Sequence, residues 1–204
     1  MIVSADLEWS SKAVDVLGLS WGEGKYATAT ERTEQSLAQF LDVLRKADIV
    51  GFQNGIDADC RQLSKEGIPV EWLERKIFDI RLAFHASHAH LAGTGSYDLR
   101  SIVLLLNGRQ GQRFPLDWKR YESDLHATCA YDAAAVDWVM PTLHRLISAY
   151  HLQPTVEIGH KCAGIFARMK EQGVQLDRNV LRQLYDDRKV KLAASIEKFG
   201  LWED

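Results

Sequence analysis

All strand-like segments of this 204-residue chain lie before Asn54, and the remainder reads almost entirely as helix. Ile2–Trp9 alternates apolar and polar residues as a half-buried strand does. Ala13–Trp21 and Tyr26–Thr30 read as two further strands, joined by the hairpin-like turn Gly22-Glu23-Gly24. Thr33 then caps a helix carrying Leu37, Phe40, Leu41 and Leu44 at i, i+3, i+4, i+7 spacing. Asp48–Gln53 is a short apolar run ended by Asn54-Gly55, as a buried strand would be. Helical patterns occupy Asp59–Glu66, Asp79–His88, Ser96–Leu106 and Tyr121–His151. Hairpin strands followed by one strand–helix–strand crossover predict an α/β fold, a mixed sheet with helices on both faces.

A break at Pro154 divides an expected domain over residues 1–153 from a helical extension over 154–204. The extension reads as a helical hairpin. One helix carries Ile158, Cys162, Ile165, Phe166 and Met169, and the other runs from Asp177 to Phe199. Between them Gln172-Gly173-Val174-Gln175-Leu176-Asp177 combines a helix stop, a short extended piece and a new cap.

Composition narrows the function classes. The hydrophobic share of 46% and charged share of 26% are those of a globular domain. No apolar run is long enough for a membrane span, and no cationic, apolar leader opens the chain. Cys60, Cys129 and Cys162 are odd in number and widely spaced, which gives neither a disulfide framework nor a CxxC metal site and fits a reducing cytoplasm. The net charge of -3 argues against a protein that coats nucleic acid, but not against an enzyme that grips a few terminal nucleotides with cations supplying positive charge.

Chemistry enters through carboxylates. Asp6 and Glu8 leave the same face of the first strand, about 7 Å apart along the backbone. Such a pair can ligate a divalent cation; a strand with one solvated polar face has the same pattern. The loop Gly51–Asp59 leaves a central strand and enters a helix, the place where α/β sheets put ligands. Asp57 and Asp59 compete for the role there, since Asp57 could cap the helix. The third segment, Thr128–Val136, is rich in small residues that would let its helix approach the sheet and carry Asp132 toward the other acids; Asp137 reads as an exposed carboxylate. His85, His88 and His90 form an HxxHxH cluster with no thiol or carboxylate fixed nearby, and read as an exposed, frayed helix end.

Taken together, these segments resemble the three exonuclease motifs of the DEDD superfamily, in the form found in family A DNA polymerases. Met1–Glu8 is similar to the start of short phage polymerases. Gln53–Leu63 resembles the second motif, His-Asn-Gly-x-x-Tyr-Asp-x-x-x-Leu, with Asp59 and Leu63 in register, and that register selects Asp59 over Asp57. Ile165–Asp177 resembles the segment joining exonuclease to polymerase, so the resemblance spans nearly the whole chain and implies a missing polymerase domain as partner. No polymerase motif is present.

The resemblance implies an RNase H-like fold. It also implies hydrolysis of the 3′-terminal phosphodiester of single-stranded DNA in a bacterial or phage-infected cell, with Asp6, Glu8, Asp59 and Asp132 as metal ligands. Two Mg²⁺ or Mn²⁺ ions about 4 Å apart would serve it. Asp6 would bridge both ions, Glu8 and Asp132 would hold the site of the attacking water, and Asp59 would reach the second ion. Leu7, Trp9, Gln53 and Asn54 become candidate contacts to the terminal nucleotide, with Trp9 either a stacking surface or a core residue. Arg109 and Arg113, with Lys119 and Arg120, could meet phosphates.

One departure stands out. The family has a Tyr four residues before its third-motif Asp, where this chain has Thr128. A relative uses His five residues before, which here is Ala127. A register with Tyr131 as that Tyr would place Ala135 at the Asp position and fits the motif less well. The same pattern also serves a weakened DEDD domain kept for binding, or an RNA-directed exonuclease.

Overall fold

The computed structural model describes residues 1–10, 13–89, 97–107, 113–173 and 178–199. The chain divides into two compact units, Met1–Ala167 and Arg168–Asp204. The sheet and every site discussed below belong to the first.

Five strands form one mixed sheet in the order β3-β2-β1-β4-β5. β1 (Ile2–Trp9) pairs antiparallel with β2 (Val14–Trp21), and β2 pairs antiparallel with β3 (Tyr26–Glu31). β4 (Ile49–Phe52) lies parallel to β1, and β5 (Ile77–Asp79) parallel to β4. Helix α1 (Glu34–Lys46) makes the crossover from β3 to β4, and Thr33 caps it by accepting from the Ser36 N–H. The remaining helices are α2 (Asp59–Lys65), α3 (Glu71–Glu74), α4 (Ile80–Ser87), α5 (Leu99–Leu106), α6 (Trp118–Tyr121), α7 (Leu125–Ala149), α8 (Gln153–Gln172) and α9 (Arg178–Phe199). This is the expected α/β architecture, consistent with an RNase H-like fold.

The period-2 alternation of β1 divides its side chains between two cores. Val3, Ala5 and Leu7 pack with Phe40, Leu41 and Leu44 of α1. Ser4, Asp6 and Glu8 face the other way, toward α7, where the Ser4 hydroxyl donates to Asp137 Oδ1 over 3.5 Å. Beyond them α7 builds a second apolar core with α4 and α5 around Ile80, Phe84, Ile102, Leu106 and Val139.

Small residues set how closely α7 can lie on the sheet. A Cβ at Gly18 of β2 would stand 2.7 Å from Cys129 Sγ and 2.9 Å from the Cys129 carbonyl. Gly51 of β4 is equally pressed, by Met140, Ser4 and Val136. Any side chain at either position would push helix and sheet apart.

Several boundaries differ from expectation. The helix anticipated from Asp79 is preceded by the three-residue strand β5, and Asp79 is its N-cap. The helix expected over Tyr121–His151 begins at Leu125, where Asp124 caps it by accepting from the N–H groups of His126 and Ala127, and Tyr121 instead ends α6. α5 begins at Leu99, with Asp98 as its cap. Pro154 sits in the first turn of α8, where its missing N–H costs nothing. Gly173 ends α8 with φ +68° and a bond from its N–H to the Met169 carbonyl. The extended piece expected over 174–177 lies outside the described residues.

Candidate metal centre

Three of the four expected carboxylates converge. Asp6 and Glu8 project from β1 toward α7, and Asp132 stands one helical turn after Cys129, the residue that seats α7 against Gly18. Gly18 lies directly across the ladder from Asp6, and the Cys129 thiol donates to the Asp6 carbonyl over 3.4 Å. One of the close helix–sheet contacts therefore lies beside Asp6 itself. One oxygen each from Asp6, Glu8 and Asp132 lies within 4.8 Å of the others.

Like charges at such range raise the affinity of each group for a proton. Asp6 is held well above the usual carboxylate range, first by burial, then by Asp132 and Glu8. Glu8 is raised by burial and by Asp132. Asp132 is raised by burial, against the Trp118 N–H and the Arg100 guanidinium, which favour its charged form. Asp6 Oδ2 is buried with no hydrogen-bond partner. Such an orphan is costly unless something positive reaches it.

Asp59 opens α2 and is only 3% exposed. It is not one of the three converging acids, yet it shares their field: it is raised well above the usual range by burial and then by Asp6. The Leu7 backbone N–H partly offsets this at both Asp6 and Asp59. Asp57 is not the cap of α2. That position falls to Ala58, which makes no side-chain cap.

The loop carrying Asp59 is fastened from below by a residue not anticipated from sequence. Asp79, 1% exposed, accepts from Arg81 and Leu82 at the start of α4 and from the Asn54 N–H over 3.2 Å. Burial pushes its carboxyl up to about 6, against these N–H donors. Asn54 adopts φ 61°, a left-handed geometry that Asn tolerates, and turns the chain from β4 toward α2.

The other expected contacts scatter. Leu7 is buried, and its N–H serves Asp6 and Asp59. Trp9 is 41% exposed at the end of β1, so core packing does not describe it. Gln53 spends its amide N–H on the Tyr97 carbonyl at 2.8 Å. Arg113 is exposed, and Arg109 lies outside the described residues. Of the histidine cluster, His90 also lies outside them and His85 is exposed. His88 is buried and stacked on Phe84 with ring centroids 4.2 Å apart, so the frayed, exposed end is not what forms there.

Neither candidate tyrosine position is free. The Thr128 hydroxyl donates to the Tyr121 carbonyl at 2.7 Å. The Tyr131 hydroxyl donates to the Pro115 carbonyl and accepts from the Asp117 N–H, pinning the segment before α6. Two more residues escaped the sequence reading. Trp118, buried on α6, donates its indole N–H to Asp132 Oδ1 at 2.6 Å. A signal for it existed, since a buried Trp needs an acceptor and Asp132 is near in sequence. Asp137, expected on the surface, is 4% exposed.

The residues present suit a hard divalent cation: the donors are carboxylate oxygens, one of them orphaned, in a cluster whose charges repel. A metal ion could be held by Asp6, Glu8 and Asp132. No helix among the described residues is long and apolar enough to cross a membrane. No protein-family model matches the chain, and no curated protein matches it.

Proposed function

We propose that the first unit is a metal-dependent 3′→5′ exonuclease domain, acting on the 3′ end of single-stranded DNA and releasing nucleoside monophosphates. Its setting would be proofreading within a family A DNA polymerase, whose polymerase domain is the implied partner. The observation that carries this reading is the convergence of Asp6, Glu8 and Asp132 around a buried oxygen without a partner, with Asp59 in the same field. Two Mg²⁺ or Mn²⁺ ions held there would neutralise the phosphate and acidify water.

The chain's own groups have separable tasks. Asp6, in the field of the other two acids of the cluster and carrying the unpartnered buried oxygen, is the central metal-holding group. Glu8, partly exposed near the end of β1, would with Asp132 hold the site of the attacking water. Asp59, outside the three converging acids but within the field of Asp6, would reach a second ion from α2, on a loop that Asp79 keeps in place. Trp9, exposed next to Glu8, offers a stacking face to the terminal base. Arg113, with Arg109, would meet phosphates of the incoming strand.

The commitments of Thr128 and Tyr131 favour a second reading, a weakened domain that binds metal and DNA but turns over slowly. One experiment separates the two. A 5′-labelled single-stranded DNA is incubated with Mg²⁺ or Mn²⁺, against EDTA and Asp6→Ala. A ladder shortening from the 3′ end, lost in both controls, is the expected outcome. Metal binding by calorimetry without a ladder supports the weakened domain. Neither cleavage nor metal binding overturns both.

A further inference from the structure

Asp132 is the one acid of the cluster with a strong side-chain donor on it. The indole N–H of Trp118 reaches Oδ1 at 2.6 Å. An indole nitrogen donates and never accepts, so this bond has one polarity and favours the ionised carboxylate.

The donor's position does not depend on Asp132. Trp118 is 6% exposed and packs edge-on against Tyr131, with ring centroids 5.0 Å apart at 87°. The Arg100 guanidinium lies 5.8 Å from its ring centre and pairs with Glu122 at 2.9 Å. The Glu122 N–H donates to the Trp118 carbonyl, and Tyr131 holds the preceding segment through Pro115 and Asp117. Trp118 is thus a preorganised support, fixed before any ligand arrives.

Such a support has a consequence for metal choice. A carboxylate free to rotate can present both oxygens to one ion, as Ca²⁺ sites with their larger coordination numbers often require. Mg²⁺ and Mn²⁺ accept single oxygens in octahedral surroundings. With Oδ1 held by the indole, Asp132 is restrained from turning both oxygens symmetrically toward one ion. Resting on the metal reading above, we propose that Trp118 is a positioning residue that fixes Asp132 as a one-oxygen ligand and so selects Mg²⁺ and Mn²⁺ over Ca²⁺.

The test compares Mn²⁺ and Ca²⁺ binding by calorimetry in the intact protein, in Trp118→Phe, which keeps a ring and loses the N–H, and in Trp21→Phe, the same change at an exposed position of β2 stacked on Tyr26. Outer partners of metal ligands typically set affinity by about 10- to 100-fold. Trp118→Phe is therefore expected to shift the Mn²⁺/Ca²⁺ preference about 10-fold toward Ca²⁺, and Trp21→Phe to leave it in place. A folded Trp118→Phe with unchanged preference, or equal shifts in both variants, overturns the inference. Absence of any binding by the intact protein overturns the metal reading instead.

A second readout needs no stable variant. In ¹H–¹⁵N spectra of the intact protein, one indole resonance is expected at the low-field position of a carboxylate-bonded N–H. It should keep that position when Mg²⁺ saturates the site. Its return to the range of the other tryptophans on Mg²⁺ addition would overturn the inference.

Discussion

Helix α7 carries two aspartates five residues apart that are met by different numbers of donors. Asp137 is met by donors: the Gly24 N–H at 2.7 Å, the Ser20 hydroxyl at 3.4 Å and the Ser4 hydroxyl at 3.5 Å. It ties the β2–β3 turn to the helix. Asp132 has one indole donor and the charge of Arg100 in its favour, and it shares its cluster with two more carboxylates, one with an orphaned oxygen. Burial raises both groups. What separates a fastening from a site is therefore the company rather than depth: three donors close the charge balance at Asp137, whereas a cluster of three carboxylates leaves it open for a cation.

The largest effect that could break this contrast is catalytic. Asp6→Ala should lower metal-dependent cleavage by more than about 100-fold, since even outer partners of metal ligands count for 10- to 100-fold. Asp137→Asn should leave the cleavage rate of folded protein unchanged. Equal losses in a labelled-DNA assay would erase the distinction.

Next comes pH. A carboxyl with a folded-state pKa above its unfolded value binds protons more tightly when folded. Its stabilising contribution is complete below the unfolded value and is lost as pH rises through the folded one. For Asp79 that window runs from about 4 to about 6 and corresponds to roughly 3 kcal/mol. Asp6 and Asp59 act in the same direction. Metal-free protein should thus lose urea resistance between about pH 4 and pH 7. Saturating Mn²⁺ at pH 7 should restore about 2.7 kcal/mol at 100 times its Kd. A flat profile without metal would show that the charges are not strained.

At fixed pH 7 without metal, the two aspartate sites should respond with opposite signs. Asp137→Ala strands the Gly24 N–H and should cost about 1–3 kcal/mol. Asp6→Asn relieves repulsion and should stabilise by about 1 kcal/mol or more. Denaturant midpoints read both, and a shared sign would break the comparison. The smallest expected change is at Glu122→Gln, which removes an exposed partner of Arg100 and should stay within about 0.5 kcal/mol.

The sequence made the strand side of the molecule legible because alternation and turn residues are local. Ile2–Trp9 matches β1 end to end, and Thr33 marks the start of α1. Asp6, Glu8 and Asp132 could be proposed together because the Ala-rich stretch of α7 showed where close packing was possible, and the structure brings them together. β5 was illegible: three residues show no period, and its pairing to β4 is tertiary. Asp137 was misjudged for a related reason. Its partners lie 113 to 133 residues away, on segments whose hydroxyls and turn N–H groups carry no pattern. Trp118 was missed although Asp132 lies near it in sequence, because which acceptor its N–H takes is decided only when α6 packs against α7.

The alternation of β1 also bears on how such a chain can change over generations. Val3, Ala5 and Leu7 build one core while Ser4, Asp6 and Glu8 serve the opposite face, so fold and chemistry share one reading frame along eight residues. A point substitution touches one face and leaves the other intact. Deleting a single residue ahead of Asp6 would exchange the two faces, sending carboxylates into the α1 core and leucine to the acids. This strand can diversify by replacement but not by insertion or deletion.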